Sequence, residues 1–565
     1  MDHDTDRSDR APASIRVAGW WVVGAFALLL SAVNLVFGDL NQDEGWYLYA
    51  SKLVSEGKLP FLDFAFTQGP VMPLIYRFAV PLVNRWGVAG GRLFTACLGL
   101  ACIACVACVA GRLAVPGRKQ QAALMASALV GVNVYQSYFF TIVKTYSLSG
   151  LLIMMSFVLL AGRKGSPSRW ASVFAGSGMA LASGVRISAA VLIPVVFVYL
   201  LVDARGGREN SDRRPAGIVT MGSAACFVLG AALAGGLWAI PFMREAPEGF
   251  WFGLLDYHTA RTPGSWRSLI LYKAGFTSRL VQAYFVPFAL FVVAVLYRVT
   301  RAANGEHSGT RGPERVVCGV EVVLWVGALA VSVVHFLAPF PYDDYQVMIF
   351  PVAAVALSVM LVRLPDRERV VNRLVVTVVI LSVAASLSSP INQEWFVAGR
   401  DRIWWPVKTE TSLGRLRRAA GLVRGMAGED RLLLTQDAYL AVESGLSLPA
   451  GLEMGPFSYF PDWSEARAAQ LHVLNRAMME RLIGTTRARV AALSGWCFAI
   501  QSPQVIELPA GERGRLWAAV NRRYGPVTEI AGFGQAATTL KIMALHADAG
   551  SEGALNRTEN QGERR

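Results

Sequence analysis

Long apolar runs that recur along the chain constrain this sequence more than any other feature. They fall near 18–37, 89–111, 121–140, 145–161, 171–185, 187–202, 217–241, 276–297, 316–338, 346–362 and 374–388. About twenty apolar residues in a helix match the thickness of a bilayer's hydrocarbon core, so a chain with eleven such runs is predicted to be a polytopic α-helical membrane protein. Composition agrees: 54% of residues are hydrophobic and 17% charged, and the mean hydropathy is +0.40, too apolar for an ordinary soluble fold. The net charge of +14 does not indicate a nucleic-acid partner, because the basic residues sit in short clusters between apolar runs rather than along one face.

Those clusters set the orientation. Arg112, Arg118 and Lys119; Arg163, Lys164 and Arg169; Arg205, Arg208, Arg213 and Arg214; Arg298, Arg301, Arg311 and Arg315; and Arg363, Arg367, Arg369 and Arg373 fall in alternate loops. The positive-inside rule makes these loops cytoplasmic, with the N-terminus on the same side. The same parity puts the Asp39–Val88, Phe242–Gly275 and Pro339–Tyr345 loops, and everything after about Ser389, on the outer side of the cytoplasmic membrane. The run Ala18–Phe37 has no small-residue cleavage site before the acidic loop that follows, so it reads as a retained span rather than a signal peptide. Four of the seven cysteines, Cys97, Cys102, Cys105 and Cys108, lie inside one apolar run and read as small packing residues.

The last third changes character. "DRLLL", "RARVAALSG" and "TTLKIMAL" read as strands, with helical patterns at Ser464–Ile483 and Glu512–Tyr524 between them. The expected organisation is a transmembrane domain over 1–388, an extracytoplasmic α/β domain over 389–545, and a disordered tail over 546–565 that lacks any apolar period.

The stretch "DLNQDEGWYLYASKLVSEGKLPFLDFAFTQGP" follows the first span directly. Asn41 with Glu44 three residues on forms a capping-box pattern, so a helix is predicted from there to Gly57, with Asp43 in its first turn and Tyr47 on the same face. An acid pair at such a place can simply cap a helix in water. An acid pair at a membrane exit, followed by aromatics and the extended "FLDFAFTQGPVMPLIY", also resembles the first outer loop of the C-superfamily (GT-C) of membrane glycosyltransferases. The pattern is closest to family 39, which includes the protein O-mannosyltransferases and the lipid A aminoarabinose transferases. At residue level the likeness covers Asp43, Glu44 and the aromatic and proline pattern up to Tyr76; at the level of architecture it covers most of the chain.

This resemblance implies a GT-C-like fold and a glycosyltransferase that takes a sugar from a polyprenyl-phosphate donor in the membrane to an acceptor hydroxyl of a glycan, lipid or protein on the outer face. Asp43 would be the general base of an inverting displacement, with Glu44 as its orienting neighbour. One carboxylate suffices, since the lipid phosphate already leaves as an anion, and basic groups are then needed to hold it. Lys144 in "FTIVKTYSLSG" and Arg186 in "ASGVRISAA" interrupt apolar segments, where an ionisable group is costly enough to suggest function, although snorkelling to the interface is the alternative. Arg267 lies on the same outer side. "LDYHTARTPGSW" adds His258, which reads as structural or catalytic, and Arg261, suited to clamp a phosphate. In "PFPYDDY", Tyr342 and Tyr345 read as substrate contacts or membrane anchors; Asp343 and Asp344 can bond sugar hydroxyls or orient a basic residue. The chain departs from the family where aminoarabinose transferases carry a lysine in the stretch matching "TQGPVMP": here stand Gln68 and Gly69, so the phosphate ligand must come from elsewhere.

No histidine, cysteine or acid set has metal-ligand spacing, and no P-loop or dinucleotide fingerprint occurs, so no cofactor is expected beyond a possible divalent cation at Asp43 and Glu44. The rival reading is a transporter or flippase of lipid-linked sugars. Such proteins place polar sites near the bilayer midplane and commonly repeat their halves, whereas the acids here cluster at the outer lip.

Overall fold

The structure, a computed structural model, describes residues 13–162, 167–206, 216–261, 265–304, 318–364, 367–387 and 410–546. The tail expected after residue 546 and the expected start of the outer domain lie outside these residues. Among the described residues four helices are long and apolar enough to cross a bilayer: Val17–Phe37, Val88–Leu113, Met221–Glu245 and Glu368–Leu387. Two bent pairs bring the number to six if each is one crossing, and Ile187–Val202, Glu321–Leu337 and Phe350–Arg363 are shorter apolar helices. The protein is a mostly helical integral membrane protein; among the described residues four to six crossings are full-length, fewer than the eleven apolar runs, the others being shorter or broken.

The difference has a local cause. Hydropathy averages over breaks that individual residues impose. The run read as 121–140 stops at Gly131, and Asn133 starts a new helix, Val134–Thr141, by accepting a hydrogen bond from the Gln136 amide at 2.8 Å. That short helix then turns by 103° into Thr145–Leu160, with Lys144 in the break. The run read as 276–297 is likewise two helices, Trp266–Ala283 and Phe285–Ala303, bent by 90° at Tyr284. Both breaks point polar groups inward: the Tyr284 hydroxyl donates to Gln136 Oε1 at 2.6 Å.

The C-terminal part carries a four-stranded sheet in the order Leu433–Leu434, Val490–Leu493, Thr538–Leu545, Tyr524–Phe533. The first pair is parallel, with Leu433 opposite Val490, and the others are antiparallel, with Val490 opposite Ala544 and Ile530 opposite Leu540. The helices Ser412–Met426 and Ala510–Arg523 pack against it. The helical pattern over Ser464–Ile483 is interrupted, becoming Glu465–Gln470 and Arg476–Thr485, because Asn475 caps the second helix through the Met478 amide. The strand Tyr524–Phe533 was not expected. Gly525 and Pro526 spoil its alternation, and it tolerates a proline as the edge strand, with its register slipping between Pro526 and Thr528.

Two large apolar cores result. One lies among the membrane helices around Cys102, Leu129, Phe157 and Val355. The other joins the C-terminal sheet to the helix after the first span: Trp46, Tyr49 and Leu53 pack in the same cluster as Leu416, Leu440, Val490 and Leu493. With the first helix, Ala13–Phe37, as α1 and Gln42–Ser55 as α2, α2 is held on both sides.

Candidate functional site

The capping box that the sequence suggested forms in full. Asn41 Oδ1 accepts from the Asp43 amide at 3.1 Å, and Glu44 Oε2 accepts from the Asn41 amide at 3.0 Å. Gly57, at φ 92°, follows the helix in a conformation that suits glycine. Successive residues on a helix diverge by about 100°, so the two acids face different surroundings.

Glu44 is fully buried, and it does not reach the cavity that Asp43 lines. Its carboxylate takes a bidentate grip from Arg92, with Nε and Nη2 each at 2.7 Å, and accepts the Val143 amide at 3.2 Å. Arg92 spends its remaining donors on the carbonyls of Gly38 at 2.8 Å and Asp39 at 3.1 Å. The pair thereby ties the end of α1, the start of α2 and the Val143–Lys144 break to the span Val88–Leu113. The Glu44 carboxylate is thus occupied by one guanidinium and two amides and makes no hydrogen bond to the Asp43 side chain. Among the described residues no three His, Cys, Asp or Glu side chains converge as metal ligands.

Asp43 keeps 27% of its side chain exposed. Trp46 Nε1 donates to Oδ1 at 3.2 Å, and Lys144 Nζ approaches Oδ2 at 3.1 Å. The same ammonium bonds Asp344 Oδ2 at 2.5 Å, so it stands between two carboxylates, where a metal ion shared by them would have to sit. Asp343 also engages a basic side chain, accepting from Arg279 Nε at 3.0 Å and from the Tyr135 hydroxyl at 2.7 Å. Each carboxylate oxygen of Asp43 has one such partner and retains lone-pair capacity for another donor.

A cavity of about 560 Å³ opens beside Asp43. It brings together Asp43, Tyr47, Lys144, Arg186, His258, Arg261, Tyr342, Asp344 and Tyr345, all of the candidate residues but Glu44; Arg267 does not line it either. Arg186 starts from the break between Arg169–Val185 and the following turn, and its guanidinium lies over the Tyr345 ring at 4.0 Å and the Tyr146 ring at 5.2 Å. Arg261 stacks on Tyr257 at 5.3 Å and reaches the Tyr342 hydroxyl at 3.4 Å. Among the described residues neither arginine has a carboxylate within ion-pair distance, and Arg261 Nε is buried without a partner. Two such guanidiniums on tyrosine faces have the charge and donors to hold an anion. His258 Nε2 donates to the Thr67 carbonyl at 2.8 Å. Burial lowers its pKa to about 4, the nearby Arg261 and Arg186 charges adding to the effect against the pull of that bond, so it stays neutral near pH 7. A second cavity of about 180 Å³ shares Arg186, His258, Arg261 and Tyr345 with the first and continues between Ile187, Leu254, Leu255, Val334 and Phe340, a mostly apolar slot.

The C-terminal sheet region lines the large cavity with Phe457, Trp496, Ile500, Val505 and Gln535. It also grips α2 directly. Gln535 Oε1 accepts the Gln42 amide at 2.6 Å, the Tyr49 hydroxyl accepts the Leu448 amide at 2.8 Å, and Ser412 Oγ donates to Asp39 Oδ1 at 2.6 Å. Gly45 allows this approach, since a Cβ there would lie 2.3 Å from the Tyr439 amide nitrogen. Sequence reasoning missed Arg92, Arg279 and the whole outer wall. Arg92 and Arg279 had a legible signal, a charge near the end of an apolar run, whereas the wall residues had none.

Helices are broken at the mouth of a membrane bundle, an acid follows the first span, and a sheet is seated over the opening; the comparisons with known proteins agree with the GT-C resemblance read from the sequence. Residues 67–230 match the family profile described as dolichyl-phosphate-mannose-protein mannosyltransferase. ArnT from Cupriavidus metallidurans shares the fold: its undecaprenyl phosphate complex is similar at 14% identity with a TM-score of 0.57, and its apo form at 15% identity with 0.58. Each alignment covers 94% of this chain and 99% of that one. The apo oligosaccharyltransferase from Archaeoglobus fulgidus is more distant, at 10% identity and a TM-score of 0.46, covering 84% of this chain and 69% of that chain. Among curated proteins none matches this sequence significantly.

Proposed function

We propose that this protein transfers a sugar from a polyprenyl-phosphate donor to an acceptor hydroxyl at the outer face of the cytoplasmic membrane. One observation carries the reading: a partly exposed carboxylate and two arginines without acidic partners among the described residues face a single cavity at the ends of broken membrane helices. In this proposal the donor phosphate sits on Arg186 and Arg261, and the isoprenoid leaves through the apolar slot between Ile187 and Leu254. That the fold is shared with an ArnT bound to undecaprenyl phosphate supports this choice of lipid.

Asp43 accepts the proton of the acceptor hydroxyl as that oxygen attacks the anomeric carbon. The carbon–phosphate oxygen bond breaks on the opposite face, and the electron pair leaves with the lipid phosphate, whose growing charge the two guanidiniums stabilise. Lys144, with two of its three donors on Asp43 and Asp344, fixes the rotamer of the base; it is assigned this orienting role rather than the phosphate contact first expected. His258, neutral and bonded to Thr67, shapes the phosphate end without carrying a proton. The basic loop clusters support placing this cavity, and the 389–545 domain, outside.

The test is Asp43→Asn with a polyprenyl-phosphate sugar donor. Transfer is expected to fall by about 10²–10⁴-fold, the usual worth of a general base, while donor binding is retained. Full activity in the asparagine variant would sink the assignment.

A further inference from the structure

The cavity divides its charge unevenly. Every charged residue lining it, from Asp43 to Asp344, comes from the membrane part, while the five residues contributed by the sheet domain are all uncharged. Those five are three apolar side chains, one indole and one carboxamide: Phe457, Ile500, Val505, Trp496 and Gln535. From α2 and its cap the same cavity is lined by Asn41, Gln42, Asp43, Trp46 and Tyr47. Two polar atoms of these walls, Trp496 Nε1 and Gln42 Oε1, are buried without a hydrogen-bond partner among the described residues, one a donor and the other an acceptor.

The wall is also built to stay in place. The Trp496 turn is pinned on both sides: the Gly495 amide donates to Thr538 Oγ1 at 2.9 Å, the Gly495 carbonyl accepts Arg513 Nη2 at 2.6 Å, and the Phe498 amide donates to Gln436 Oε1 at 2.7 Å. Behind it Asp437, buried, accepts from the Ser494 amide at 3.3 Å, the Cys497 thiol at 3.3 Å and the Tyr439 hydroxyl at 2.8 Å. A rigid wall of aromatic faces and carboxamides, without a fixed charge, fits the alternating C–H faces and hydroxyls of a sugar ring. It offers nothing to neutralise a phosphate or carboxylate.

We infer that this wall is the acceptor subsite and that the acceptor is an uncharged glycan, whose hydroxyl is presented to Asp43 across from the cationic donor seat. This rests on the donor reading above. An acceptor bearing an anionic group at its reacting end would place that group against Phe457 and Trp496 with no cation of the wall to pair it.

The experiment uses the full-length protein in lipid nanodiscs. Saturation-transfer NMR measures binding of neutral hexose and pentose oligosaccharides, of sulfated counterparts, and of a serine- and threonine-rich peptide; undecaprenyl phosphate binding is measured in parallel. Neutral oligosaccharides are expected to bind best, and Trp496→Ala and Gln535→Leu each to weaken them by about tenfold with undecaprenyl phosphate binding unchanged. Trp496→Phe, which keeps an aromatic face, is expected to retain most of the affinity. Preference for the sulfated glycan or the peptide, or indifference of glycan binding to both wall substitutions while lipid binding is intact, overturns the subsite. Failure of the wild type to bind undecaprenyl phosphate overturns the donor reading instead, and this inference with it.

Discussion

Replacing Glu44 by glutamine separates the two adjacent acids, one the proposed base and the other buried in an ion pair. The carboxylate of Glu44 is fully buried and accepts four hydrogen bonds, two from Arg92 at 2.7 Å and one each from the Asn41 and Val143 amides at 3.0 and 3.2 Å. Glutamine preserves the shape but puts an NH₂ where an oxygen faced donors, and it leaves the Arg92 guanidinium with neutral acceptors only, one amide oxygen and backbone carbonyls. Removing one partner of a buried ion pair costs about 3–5 kcal/mol, which corresponds to a melting temperature lower by on the order of 10 °C. Asp43→Asn is the control: the site is 27% exposed and Lys144 keeps Asp344, so its melting temperature should shift by a few degrees at most. Thermal melts in nanodiscs, paired with transfer assays well below both melting points, read the two effects apart. The reasoning is refuted if Glu44→Gln leaves the melt unchanged, or if it abolishes transfer in folded protein as completely as Asp43→Asn does. Adding Arg92→Met to Glu44→Gln should recover part of the loss, because the stranded charge is removed with its partner.

Gly45→Ala forces a Cβ to within 2.3 Å of the Tyr439 amide nitrogen; a melt should show a loss of about 1–3 kcal/mol from overpacking, and limited proteolysis should find the sheet domain less protected. Arg186→Gln should weaken undecaprenyl phosphate binding by about tenfold or more, since hydrogen bonds to charged groups are worth about 1.5–3 kcal/mol; unchanged lipid affinity would remove it from the anion seat. Burial raises the carboxyl of Glu453 from 4.5 to about 7 against the hydrogen bonds from backbone amides, including Gly451. The folded state therefore favours its protonated form, a contribution complete below pH 4.5 and lost as pH rises through 7. Glu453→Gln should accordingly stabilise the protein at pH 8, by at most about 3 kcal/mol, and do little at pH 4; an equal effect at both values would contradict the burial argument.

Asp43, Lys144 and Arg186 were legible because a charge inside or beside an apolar run is costly wherever it falls, and the capping box placed α2 within a residue of its observed start. The role of Glu44 was not legible. Its partner is 48 positions away in a helix whose pattern announces only membrane. The breaks at Asn133 and Tyr284 were averaged into continuous runs, because apolar and aromatic residues fill both sides of each turn, whereas the one at Lys144 fell between two runs. Phe457, Trp496 and Gln535 lie on separate connections of the sheet domain, and only long-range packing brings them over the cavity. Local pattern carries no information about that kind of convergence.

The Arg92–Glu44 pair has a consequence for any chain built on this plan. An acid in the second place of the doublet obliges a cation near the start of the following full-length helix, because either one alone would be a bare charge sealed from water. The two positions must therefore change together or not at all, whereas the first acid answers only to the molecules that enter. In a lineage of such proteins, the doublet's second letter should travel with an arginine and its first with the reaction.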